Sequence, residues 1–176
     1  GNGIGDFTYT PPSGYLALCT KNLPDVAVTP SEHFNTVLWT GNGSSQSISS
    51  LEFQPDFTWI KSRSIVDSHH LFDSIRGAGR RLRSDVTATE NYNETAYLTS
   101  FDSDGFSLGG DDGVNKNTAT YVAWNWKANG SGSSNTDGNM AETVTVSANT
   151  DAGFSIVTYT GDGSVATVGH GLSKAP

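Results

Sequence analysis

The feature that most narrows the folds open to this chain is a segment that occurs twice. Phe34-Asn-Thr-Val-Leu-Trp-Thr-Gly-Asn-Gly-Ser is matched, at a constant offset of 120 residues, by Phe154-Ser-Ile-Val-Thr-Tyr-Thr-Gly-Asp-Gly-Ser. Ile48 matches Val168, and the run ending at Pro55 matches the run ending at Pro176 after a one-residue slip. Each copy is an aromatic and β-branched run closed by a glycine-rich turn, which reads as a strand entering a tight loop. The second copy stops where the first continues with Asp56-Phe-Thr-Trp-Ile. The expected arrangement is therefore a series of modules, one complete and one cut short, within a longer protein.

The rest of the chain carries the same kind of signal. Residues 57–60 continue as a strand and turn polar at Lys61, Ser62 and Arg63. Residues 96–101 and 105–108 flank Asp102-Ser-Asp-Gly, a hairpin turn in which Gly105 is expected to supply a positive φ. Tyr121-Val-Ala-Trp-Asn-Trp-Lys places Val122, Trp124 and Trp126 on one face and Tyr121, Ala123 and Asn125 on the other, and the two-Trp face is the one expected to be buried. Residues 68–76 are expected to form a short helical turn or a structured loop. Residues 129–139 contain no apolar side chain and read as a linker or long loop. Short strands separated by turn signals imply an antiparallel sandwich.

Composition excludes several classes. Ser, Thr, Asn and Gly fill 75 of 176 positions, whereas only 16% of residues are charged. Helix formers are too scarce for a bundle, and no apolar run approaches the roughly 20 residues of a membrane helix. The net charge of -8 disfavours nucleic acid and anionic lipid as partners. Arg76, Arg80, Arg81 and Arg83 form the one basic concentration, expected as a solvated loop pairing with nearby Asp. The single cysteine, Cys19, rules out an internal disulfide, and its apolar surroundings (Tyr15-Leu-Ala-Leu-Cys) read as a buried core thiol.

Five segments occur in an order that carries a resemblance: Leu38-Trp-Thr-Gly-Asn-Gly, Phe53-Gln-Pro-Asp-Phe-Thr-Trp-Ile-Lys-Ser-Arg, His70-Leu-Phe-Asp-Ser-Ile-Arg-Gly, Phe101-Asp-Ser-Asp-Gly-Phe-Ser-Leu-Gly and Tyr121-Val-Ala-Trp-Asn-Trp-Lys-Ala. Together they resemble a module of large structural proteins of marine tailed bacteriophages, including tail-fibre-like proteins. Residues 5–24 resemble the last strands of a SPRY-like domain. The resemblance implies an all-β chain of antiparallel sandwich modules in series, jelly-roll or concanavalin-like. Residues 1–24 would end a SPRY-like domain, 25–128 form a complete module, 129–142 a polar linker or loop, and 143–176 begin a second copy. It further implies a virion location, other virion proteins as partners, a homo-oligomer such as a trimer, and no enzymatic activity.

No Gly-x-Ser-x-Gly elbow accompanies His33, His69, His70 and His170, and nothing marks a catalytic carboxylate pair. Asp102, Asp104, Asp111 and Asp112 cluster around glycines, where oxygen ligands would suit Ca²⁺. The competing reading makes Asp102–Gly105 one turn and Asp111-Asp112-Gly113 a second, with no cofactor bound. His69 and His70, adjacent on a strand, point to opposite faces, and an inward His70 is expected to satisfy a core hydrogen bond. A host-surface glycan is the other functional expectation. The four tryptophans are assigned to the core by their strand positions, leaving Tyr92, with Asn91 and Asn93, as the loop candidates.

Overall fold

A computed structural model describes residues 9–19, 22, 28–140 and 142–174. Among these, the elements run β1 (Phe34–Thr40), β2 (Gln46–Ser49), β3 (Phe57–Ser62), β4 (His69–Asp73), β5 (Arg80–Arg83), β6 (Asn91–Tyr92), β7 (Leu98–Asp102), β8 (Gly105–Leu108), α1 (Asp112–Asn115), β9 (Thr120–Trp126), β10 (Ser133–Asn135), β11 (Val144–Asn149) and β12 (Phe154–Thr158). The strands form antiparallel sheets of order β1-β9-β3-β4-β5-β6, β2-β8-β7 and β10-β11-β12. The fold is an all-β sandwich.

Its core lies between the first two sheets. Trp39, Ile60, Phe72, Tyr121 and Ala123 come from the six-stranded layer, and Ile48, Leu98, Phe106 and Leu108 from the three-stranded layer. Strand β9 pairs with β1 on one side and β3 on the other, so its alternation governs both neighbours. The inward face is Tyr121, Ala123 and Asn125, all fully buried, while Trp124 and Trp126 are partly exposed on the outside. The two-Trp face is thus the outer one, opposite to expectation. Packing and polar pairing explain the choice: Tyr121 stacks on Trp39 at 5.4 Å and its hydroxyl donates to the Asp112 carbonyl. Thr58 Oγ1 donates to Asn125 Oδ1 at 3.1 Å, so the one amide on the buried face of β9 has its partner.

Other expectations are corrected locally. Residues 69–73 form a strand rather than a helical turn, because Phe72 and His70 point inward while His69 and Leu71 pair across β3 on the outside. Residues 129–139 include β10, whose pairing with β11 makes part of the stretch regular structure. The hairpin between β7 and β8 turns through Ser103 and Asp104 as expected, but Gly105 does not have a positive φ. A Cβ on Gly105 would lie within van der Waals overlap of the Ile48 carbonyl, so the glycine serves the close approach of β8 to β2. Of the segment assigned to a SPRY-like domain, residues 1–8, 20–21 and 23–24 lie outside the described residues. Residues 9–19 contain turns and no strand, and Leu16 and Leu18 are exposed. Cys19 is only partly buried, its Sγ accepting from Asn22 Nδ2, so it is not a core thiol.

The loop after β1 shows why the repeated segment needs its glycines. A Cβ on Gly41 would strike the Lys116 carbonyl, and Gly43 has a φ of 72°. Asn115, fully buried, holds this loop: its Oδ1 accepts from the Asn42 amide, and its Nδ2 donates to Asn42 Oδ1, the Ser44 carbonyl and the Gly109 carbonyl. In the second copy, Gly163 again has a positive φ, 80°, but Gly161 meets no neighbouring atom. Gly105→Ala is expected to lower stability by about 1–3 kcal/mol through overpacking against β2, read from urea denaturation. Gly161→Ala should leave the urea midpoint close to that of the parent chain.

Candidate functional site

The outer face of the six-stranded sheet is built by the same alternation that fills the core. Cross-strand register places Phe34, Trp126 and Phe57 in one row, and Thr36, Trp124, Trp59, Leu71 and Leu82 in the next. Three of the four tryptophans therefore face outward, and only Trp39 is in the core. Trp59 and Trp124 meet edge to face at 5.8 Å. Trp59 Nε1 donates to His69 Nδ1 at 3.0 Å, which fixes the indole and leaves the neutral imidazole's hydrogen on Nε2. Phe154 of β12 stacks on Trp126 at 5.9 Å and reaches Phe57, so the third sheet covers one end of this face. Asn149 reinforces the junction by donating to the Lys127 carbonyl and bonding His33 Nδ1.

The sequence candidates fall around this face or away from it. Tyr92 lies on β6, 57% exposed, with the Arg80 guanidinium 4.9 Å from its ring centre and its hydroxyl donating to Glu94. That hydrogen bond raises the phenol above its ordinary pKa. Asn91 pairs through the strand with Arg81, and Asn93 Oδ1 accepts from the Thr95 and Ala96 amides, closing a turn. Asn93 is thus occupied structurally.

The four aspartates do not converge. Asp102 accepts from Ser100 and Ser107 beside the hairpin, and Asp104 sits at its exposed tip. Asp111 caps α1 by accepting from the Gly113 amide, and Asp112 pairs with Lys116 at 2.9 Å. The Asp111-Asp112-Gly113 segment therefore starts a helical turn rather than a hairpin. Among the described residues, no three His, Cys, Asp or Glu side chains are grouped to hold a metal ion.

Arg76, Arg80 and Arg81, on and before β5, are paired with acids rather than lying in a solvated loop, whereas Arg83 has no acid partner among the described residues. Arg76 bonds Asp73 and Glu90, Arg80 bonds Glu90, and Arg81 reaches Asp111 at 3.3 Å while its guanidinium lies 3.9 Å from the Tyr97 ring centre. Burial pushes the Glu90 carboxyl up, but the bonds from Arg76 and Arg80 outweigh it and hold the group below its usual range.

Sequence reasoning also missed the surroundings of His70. This side chain is 1% exposed and lies under Gly113, where a Cβ would overlap the imidazole. Its Nε2 is 3.3 Å from Asp67 Oδ1, but off hydrogen-bonding geometry, and neither ring nitrogen has a hydrogen-bond partner among the described residues. The expected core hydrogen bond is absent there. Burial lowers the His70 pKa first and Arg81 adds to it, against the opposing pull of Asp67 and Asp111.

A family model for a domain of unknown function, DUF7483, matches residues 29–176. The chain belongs to the DUF7483 family. The match runs unbroken from β1 through β12, so the DUF7483 unit takes in the sandwich and the third sheet together. Neither a curated protein nor a solved structure matches the chain.

The buried imidazole gives this DUF7483 domain a pH dependence with a definite sign. With its folded pKa below the ordinary 6.5, His70 is neutral in both states at higher pH, and its contribution is then complete. As pH falls below 6.5 the unfolded chain takes up the proton first. Stability should drop by up to about 1.4 kcal/mol per pH unit until the folded pKa is reached. Urea midpoints measured between pH 8 and pH 5 should show this slope, and His70→Gln should reduce it whatever its effect at pH 8.

Proposed function

We propose that this chain is a non-enzymatic structural module of a virion, part of a tail fibre or other surface appendage, serving display, spacing or host adhesion. The observation that carries the reading is the outer aromatic face of the six-stranded sheet, tied down at one end by Phe154 and partly exposed along Trp124, Trp59 and Leu71. A sandwich that places bulky aromatics on both sides of one sheet keeps one set for its core and the other for contact. The tie through Phe154 and Asn149 supports spacing, because it holds β10–β12 against the preceding sandwich. The phage assignment draws on the ordered segments that resemble tail-fibre-like modules. In this reading the module carries no cofactor, its partners are other virion proteins, and it works as a homo-oligomer, a trimer being the arrangement that suits a fibre.

A second reading, a lectin-like module that binds a host-surface glycan, is favoured by the same outward, partly exposed tryptophans, since indole faces supply rigid apolar contact. The structural assignment is tested on purified phage particles that encode the chain. Antibodies against it are expected to label an appendage in electron micrographs. Signal confined to lysate, with unlabelled particles, would overturn the virion reading.

A further inference from the structure

Asparagine followed by glycine is the pair at which a chain most readily loses a side-chain amide, because glycine leaves its own backbone nitrogen unhindered. Two such pairs fall among the described residues, Asn42-Gly43 and Asn129-Gly130, and Asn2-Gly3 lies outside them. The reaction needs a free asparagine side chain and a glycine N–H that is not already donated. The fold denies both at Asn42. Gly43 N–H donates to the Asn115 carbonyl at 2.8 Å. Asn42 Oδ1 accepts from the Ser44 amide at 2.8 Å and from Asn115 Nδ2 at 3.1 Å, while its Nδ2 donates to the Ser45 carbonyl at 3.4 Å. Asn115 is fully buried, so Asn42 becomes reactive only when its loop opens.

Asn129-Gly130 is open by the same measures. Asn129 is exposed, and among the described residues its side chain has no hydrogen-bond partner and the Gly130 N–H has no acceptor. A Cβ added to Gly130 would meet no atom within 4 Å, and the φ of 61° is one that glycine adopts without strain. The pair also lies at a joint. On its upstream side, Ala128 N–H donates to Asp56 Oδ2 and Asn129 N–H to Ser147 Oγ, each at 2.7 Å. On its downstream side, the Gly130 carbonyl accepts from Ser74 Oγ at 2.7 Å, and β10 begins at Ser133. Ser74 follows β4 and Ser147 lies in β11, so the passage is fastened to the sandwich and to the third sheet. An extra backbone atom between Asn129 and Gly130 would put these two sets of bonds out of step.

We propose that Asn129-Gly130 is a self-modifying site whose conversion loosens the joint between the sandwich and the third sheet. The Gly130 nitrogen attacks Asn129 Cγ, the new N–C bond closes a cyclic imide, and the side-chain nitrogen leaves as ammonia. Water then opens the imide at either carbonyl, giving aspartate or isoaspartate. In isoaspartate the main chain runs through the former side chain, which supplies the extra backbone atom. The test incubates the full chain in mildly alkaline buffer, folded or in urea, and locates each converted asparagine by tandem mass spectrometry. Both pairs should convert in urea, whereas in the folded chain Asn42 should convert at least about tenfold more slowly than Asn129. Asn129→Gln, an exposed change, should abolish conversion at this position and leave the thermal melt unchanged. In the isoaspartate fraction the amides of β10 and β11 should exchange with deuterium several-fold faster than in fresh chain. Freshly prepared Asn129→Asp, which adds the charge without lengthening the chain, should not show that increase. Equal rates at Asn42 and Asn129 in the folded chain, or conversion of Asn129 in urea alone, would each overturn the site. Conversion at Asn129 with unchanged exchange in β10 and β11 would overturn its effect on the joint.

Discussion

Everything in the sandwich depends on which face of β9 turns inward. That strand sits between β1 and β3, and antiparallel register transmits its in-out alternation to both without slippage. With Tyr121, Ala123 and Asn125 inside, Trp39 and Val37 of β1 and Ile60 and Thr58 of β3 must also point inward. Trp124, Trp126, Trp59 and Phe57 are then carried to the outer surface. A one-residue slip would bury the tryptophans and expose Tyr121, whose hydroxyl donates to the Asp112 carbonyl and accepts from the Lys116 amide. Core and candidate site are two consequences of one register.

Around this frame, buried polar groups tie loops to sheets. Asn115 joins the glycine loop after β1 to α1 and to Gly109, and Asp111 caps α1 while its carboxylate meets Arg81. Asp56, 3% exposed, accepts from the Ala128 amide where β9 leaves the sheet. Ser147 Oγ accepts from the Asn129 amide, and Ser74 donates to the Gly130 carbonyl. These bonds turn a run of polar, small residues into a defined passage from the sandwich to the third sheet. His70 differs from these: among the described residues neither nitrogen of this buried imidazole has a hydrogen-bond partner, which makes it a place where acid should act on the fold.

Much of the strand pattern was legible because it is written locally. Residues 34–40, 57–60, 96–101 and 105–108 show the patterning and turn chemistry that any sheet would require, and the structure places β1, β3, β7 and β8 there, with β3 running on to Ser62 and β7 starting at Leu98. The misreadings share a physical cause. Tyr121 and Ala123 on one face of β9 and Val122 and Trp124 on the other are both apolar enough to be buried, so periodicity could not choose between them. Residues 69–73 carry two histidines and an aspartate, which obscured a strand that only its pairing with β3 reveals. Gly105 looked like a turn residue, but the contact that requires it comes from Ile48, 57 positions away in sequence.

By itself, then, the sequence determined an all-β chain of short antiparallel strands with a repeated strand-and-turn segment, since φ/ψ preference and side-chain alternation act within a few residues. Tertiary structure alone decided the facing of β9, the separation of Asp102 and Asp104 from Asp111 and Asp112, and the burial of His70 beneath Gly113. It also decided that Phe154 would cover Phe57 and Trp126 while Trp59 and Trp124 stayed partly open. Each of those outcomes depends on which distant strand lies alongside, and pairing partners are set by the packing of the whole sandwich, not by any one segment.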